Sequence, residues 1–370
     1  MRTPGTTLPE THPHRRVHRE THRYRLRDPR AQGSSYTIDP TLRAAFAPAL
    51  FAIGVFRDTA EWTFMARLVR LFRSRNFIFL LSLILGLAAP EGSQWTRYLM
   101  LPALGLAMTL SAMNISMDLF RSPRSLFFPA LVGILMSYVV LANVLIGLGA
   151  VLISDEALWT GLVIIAAVPP AVAVVPFADL LEGNHGYALV ATMGAYIGAL
   201  VIMPLVSIGL LGANFMDPWG LLSILLELVI LPLFISRLLI HRSWHVRLAP
   251  LQGTATDWSF FVVMYTIVGL NRDLLLANPS SLLPIGLILF SSMFLLGLLI
   301  EWVGSLLHIA RDNIVSLVLL GTLKNYGLAA GVAVTLFSVE ASVPMAVATF
   351  FLIPYVLWLD FRKRHRWHFR

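Results

Sequence analysis

The chain has 370 residues, 57% of them hydrophobic and only 13% charged, with a mean hydropathy of +0.75; this excludes an ordinary soluble domain and points to a multispan membrane protein. It has no cysteine, which excludes disulfides, thiolate metal sites and cysteine nucleophiles together. The net charge of +8 does not indicate a nucleic-acid partner, because the arginines cluster beside apolar spans and no nucleic-acid motif accompanies them.

Residues 1–64 differ from the rest. The opening HPHRRVHRETHRYRLRDPR has no apolar core and reads as a disordered, basic, His-rich extension; its histidine spacing matches no defined metal site. The apolar patch Ala44 to Phe56 is too short to span and fits an interfacial helix. No secretory signal is visible at the start. Met65 begins MARLVRLFRSRNFIFLLSL, which looks like a natural start for an inner-membrane protein, so residues 1–64 are read as a dispensable extension or a misassigned start. Residues 65–75 form a basic cytoplasmic lead-in.

From Asn76 onward, apolar stretches recur between short polar breaks, at 76–90, 98–118, 126–153, 157–181, 186–211, 218–239, 256–270, 282–307, 313–337 and 341–359. A helix crosses a bilayer in about 20 residues, and no alternating barrel pattern is present. Basic residues orient the set. On one side lie Arg67, Arg70, Arg73, Arg75, Arg121, Arg124, Arg237, Arg242, Arg247, Arg311, Arg362, Lys363, Arg364, Arg366 and Arg370; the other side has Arg97 and Arg272. This asymmetry puts both termini in the cytoplasm of a plasma-membrane protein. The expected fold is an all-α membrane protein of ten transmembrane helices in two inverted five-helix repeats, 76–211 and 218–359, followed by a basic tail, 360–370.

Two of the spans are broken. In VIIAAVPPAVAVVPFADLLE, residues 163–182, the adjacent Pro169 and Pro170 remove amide donors at mid-span. In LVLLGTLKNYGLAAGVAV, residues 317–334, Lys324 and Asn325 lie between Gly321 and Gly327, far from either aqueous end. Broken backbone survives in hydrocarbon only when it is buried in protein or lines a cavity. Matching breaks in the two halves point to the binding site of a secondary transporter, with the breaks in the fourth and ninth helices. The competing account is two ordinary kinked helices.

The run AAVPPAVAVVPFADLLEGNHGYALVATMGAYIGALVIMPLV resembles the fourth and fifth spans of the bile acid:sodium symporter family, and GTLKNYGLAAGVAV resembles its ninth. MNISMDLF and LPLFISRLLIHR match the ends of the second and sixth. The resemblance covers most of residues 75–360 and implies a core domain holding the crossed fourth and ninth spans, a panel of the first, second, sixth and seventh, and substrate in the crevice between. The family's Pro-Gly-Gly and Ser-Asn fall on Pro169, Pro170, Ala171, Val174 and Val175, and its sodium-binding Glu and Gln fall on Leu320 and Lys324, while Asn325 keeps its place and Thr192 matches a fifth-span ligand. A hard cation needs several oxygen ligands, so the family's usual sodium sites are not expected here.

Only two of the 28 basic residues are lysines, Lys324 and Lys363. A cation at mid-membrane needs a cavity or a partner, and a tethered ammonium can fill the charge role that sodium fills in the relatives. Glu227, in LLSILLELVILPLF, is the natural counterpart, and both groups are candidate proton carriers in coupling. Asn114, Ser116, Asn143, Thr192 and Tyr326 are candidates to line a substrate path, although such residues commonly bond neighbouring helices.

Together these residues predict a secondary transporter of small organic anions, coupled to protons or uncoupled, with no cofactor and no ATP motif. Substrate would meet Lys324, Asn325, Pro169, Pro170, Asn114 and Thr192, with Glu227 and Lys324 in coupling. An arsenite-efflux relative is disfavoured by the missing cysteine. The alternative from another class is a receptor or scaffold that keeps the fold without turnover; an intramembrane enzyme ranks third, for want of a nucleophile and base.

Overall fold

The structure, a computed structural model, describes residues 70–113, 123–212, 217–277 and 279–366. The extension 1–64, residues 65–69 of the lead-in, Asn114 and Ser116 lie outside the described residues. Ala66–Arg370 forms one compact unit. Its regular elements are helices, and five are long and apolar enough to cross a membrane, or six if one bent pair is a single span. Length and composition thus make the chain a multi-pass membrane protein.

Helix α1 (Arg75–Ala88) turns through 97° at Pro90 and leads by short turns into α2 (Met100–Ala112). The spans α3 (Leu126–Leu152), α6 (His185–Leu211), α7 (Trp219–His241) and α9 (Pro279–Leu306) are continuous. The interrupted pieces are α4 (Glu156–Ala167) with α5 (Val174–Leu180), and α10 (Arg311–Leu320) with α11 (Tyr326–Leu336). Between α7 and α9 runs α8 (Trp244–Leu270), and the final helix is α12 (Val343–Arg366). Asp155, Asn184, Asp217 and Asn325 accept backbone N–H bonds at the starts of α4, α6, α7 and α11, as short polar side chains do at helix N-termini.

Two boundaries differ from the sequence reading. Helix α8 begins at Trp244, not near 256, because its polar first half finds tertiary partners: Gln252 donates to the carbonyl of Leu110 at 2.6 Å. The expected tail at 360–370 begins inside α12, where Arg362 meets Glu301 at 2.8 Å and Arg364 meets Asp360 at 2.6 Å. Basic residues at a helix C-terminus also oppose the helix dipole.

Helices α1, α2, α7 and α8 pack together on one side, while α3, α6, α11 and α12 surround α4 on the other. Small residues bring α3 and α6 close: a Cβ on Gly133 would collide with the carbonyl of Ala191, and one on Gly194 with the backbone of Ala130. This is the close approach that small residues permit between membrane helices. The interrupted pieces are the most enclosed. Leu162–Val168 and Leu319–Tyr326 are buried throughout, as helices apolar all round must be. Large apolar side chains instead cover the outer faces of α3, α7 and α9, which suits lipid as the solvent.

A crossing of two broken helices beside a crevice

The geometry of the crossing follows from proline chemistry. In a continuous helix the carbonyl of Ala166 would accept from the N–H of residue 170, but residue 170 is proline and has none. The chain leaves the helix at Val168, and residues 168–173 meet residues 321–325 from the other interrupted pair, α10 and α11. Pro170 and Lys324 form an antiparallel bridge. Asn325 N–H donates to the Pro169 carbonyl at 3.0 Å and Ala171 N–H to the Leu323 carbonyl at 3.3 Å. Each break therefore satisfies backbone groups of the other, as buried irregular backbone requires.

Lys324 supplies the remaining donors. Its Nζ lies 2.8 Å from the Ala166 carbonyl, 2.8 Å from the Val168 carbonyl and 2.9 Å from Ser137 Oγ. An ammonium has three N–H groups, and all three are used. The ring of Tyr138 lies 4.5 Å from the same atom, within cation–π range. Ser137 and Tyr138 reach it from a π-helical turn of α3, Leu135–Leu141, an irregularity frequent at functional sites. Lys324 is 1% exposed. Lys363, the other lysine, caps α5, donating to the Leu180 carbonyl at 2.9 Å and pairing with Glu182 at 3.1 Å.

Asn325 links the crossing to a crevice. Its Oδ1 accepts from Leu328 N–H at 3.0 Å while its Nδ2 donates to the Tyr196 hydroxyl at 2.9 Å. Tyr196 lines a cavity of about 480 Å³ bounded by α2 and α7 on one wall and by α5 and α6 on the other. One turn from Tyr196, the hydroxyl of Thr192 is buried in the same wall with no hydrogen-bond partner, which makes it a free donor and acceptor for a ligand. The rest is mostly apolar, with Met108, Met193, Val172 and Leu233 among its residues. At its exposed part His185 Nδ1 lies 2.7 Å from Asp179 Oδ1.

The predicted residues therefore separate into groups. Pro169, Pro170, Lys324 and Asn325 form the crossing, and Thr192 faces the crevice. Asn114 is outside the described residues. Glu227 is not the partner of Lys324: it is exposed on α7 beside the outward-facing Leu226, Ile230 and Leu231, and among the described residues no carboxylate pairs with the ammonium. The physical reason is that orphan carbonyls, created by Pro170 and by the end of α4, already satisfy Lys324. Asn143 is outward-facing too and bonds back to Val139 at 2.6 Å, whereas Tyr326 is buried at the start of α11.

Sequence reasoning missed Ser137, Tyr138, Tyr196, Asp179 and His185. Tyr196 carried a signal, four residues after Thr192 and thus on the same helix face. Ser137 and Tyr138 carried none, because a π-turn alters which side chains face inward.

No family profile matches the chain. Over 202 residues it is 26% identical to a Bacillus subtilis (strain 168) protein designated uncharacterized protein YbaS, a match that takes in 53% of this chain and 66% of that protein. This is distant homology, and the match falls just short of two thirds of the relative's length.

Proposed function

We propose that the chain is a secondary transporter that moves a small organic anion by alternating access, with the crevice as the solute site and the crossing as its rigid support. The observation that carries the reading is the pairing of two broken helices through Pro170 and Lys324, one hydrogen bond away from a wall of the crevice through Asn325 and Tyr196. Discontinuous helices meeting beside a solute-sized cavity are the recurring plan of secondary transporters. The ordering of elements supports two inverted five-helix repeats: a span with a π-turn, α3 or α9, precedes a broken span, α4–α5 or α10–α11, in each half. The α1, α2, α7 and α8 group would then serve as the panel that rocks against the core.

The Lys324 ammonium, which among the described residues is held by carbonyls and Ser137 and by no carboxylate, favours an anion, and the apolar lining favours one with a hydrocarbon body. Proton coupling or no coupling replaces sodium coupling, since Val174, Val175, Leu320 and Lys324 stand where the resembled family has its sodium ligands. Counterflow in proteoliposomes, run with a panel of small carboxylates, tests this: a saturable flux unchanged when potassium replaces sodium at fixed pH is the expected result. If ligands raise the melting temperature but no flux is found, the receptor or scaffold reading replaces it.

A further inference from the structure

The carbonyl ends of discontinuous membrane helices attract cations, because orphan C=O groups and the negative end of the helix dipole act together. At the end of α4 the chain provides the cation itself. The ammonium of Lys324 sits on two α4-end carbonyls, Ala166 and Val168, and on Ser137 Oγ, all at 2.8–2.9 Å. The backbone of the same residue is pinned in the bridge to Pro170, so the charge stays tethered within one side-chain length of these oxygens. Arginine supplies 26 of the 28 basic residues, yet a planar guanidinium fork cannot serve three converging oxygens as a compact ammonium does.

We propose that the Lys324 ammonium is a tethered cation that permanently fills the cation position of the crossing, so that no dissolved sodium or potassium ion is bound there. A covalently attached cation outcompetes a dissolved one for the same oxygens because its effective concentration is set by a short tether rather than by the bulk solution. The inference deepens the transporter reading and rests on it only for the claim that the fixed charge serves an anionic solute. The occupied cage can be tested without any solute.

The test is thermal unfolding of the purified full chain in detergent, in chlorides of sodium, potassium, methylammonium or choline at fixed ionic strength. Wild type is expected to melt at the same temperature in all four. Lys324→Ala empties the cage, and its lowered melting temperature is expected to recover saturably, by about 2 to 4 °C, with methylammonium or sodium but not with bulky choline. Adding Ser137→Ala removes one of the three oxygens and should weaken that recovery. If Lys324→Ala does not fold, Lys324→Gln, which is one methylene shorter and uncharged but still donates hydrogen bonds, takes its place. Saturable stabilisation of wild type by sodium overturns the proposal, as does a charge-deleted protein that no small cation rescues, including one that none of them allows to fold. A protein with the expected cation response but no flux in liposomes would refute transport alone.

Discussion

At the residue scale, the most consequential finding is that a charge read as half of an ion pair is held by backbone carbonyls. Truncating Lys324 to Met should leave the Ala166 and Val168 carbonyls buried and unpaired, at roughly 1 to 3 kcal/mol each, and a lowered melting temperature checks it. Because Glu227 shares no partner with Lys324, the effects of Glu227→Gln and Lys324→Gln should add within about 0.5 kcal/mol in a double-mutant cycle; a larger coupling would show that the two meet in another state of the protein. Thr192 behaves oppositely. Its hydroxyl has no partner, so the isosteric Thr192→Val should keep or slightly raise the melting temperature while weakening solute binding in a ligand-dependent melting assay. Loss of stability with unchanged binding would assign the hydroxyl to the fold.

At the element scale, the breaks are held by caps and close packing. Asn325 both caps α11 and holds the Tyr196 hydroxyl, so Asn325→Ala should cost about 0.5 to 2 kcal/mol from the cap alone, with a further loss from the bond to Tyr196. Asn325→Asp keeps the cap acceptor but not the Nδ2 donor, and comparing their melting temperatures apportions the two roles. Between α3 and α6, Gly133→Ala meets backbone, which cannot move aside as a side-chain tip can. Overpacking of this kind typically costs about 1 to 3 kcal/mol, and the shift should be larger than for Gly147→Ala, where open space surrounds the position.

For the whole molecule, orientation is the open quantity that labelling decides. The inverted ten-helix plan expects Ser243→Cys to react from the cytoplasmic side and Ser154→Cys and Leu274→Cys from the other side, in a protein with no native cysteine. Labelling of positions 243 and 274 from one side would refute that plan. The two arginines expected outside have structural work independent of topology: Arg97 donates to the Val334 carbonyl at 3.2 Å and Arg272 to the Leu87 carbonyl at 2.8 Å. Each satisfies a carbonyl near a helix C-terminus, a role that holds whichever side of a membrane these arginines face.

The sequence by itself determined the membrane class and the positions of both interruptions, since apolar length and proline's missing N–H are local properties. Pro169–Pro170 and Lys324–Asn325 were legible for that reason, and Thr192 was legible as a polar residue within an apolar stretch. Only the tertiary structure decided what Lys324 touches, because the carbonyls it satisfies lie more than 150 residues away and became acceptors only when Pro170 and the end of α4 withheld their donors. It also decided that Glu227 faces outward, through the rotation of α7, and that Ser137 and Tyr138 face inward, through a π-turn that hydrophobic periodicity cannot reveal.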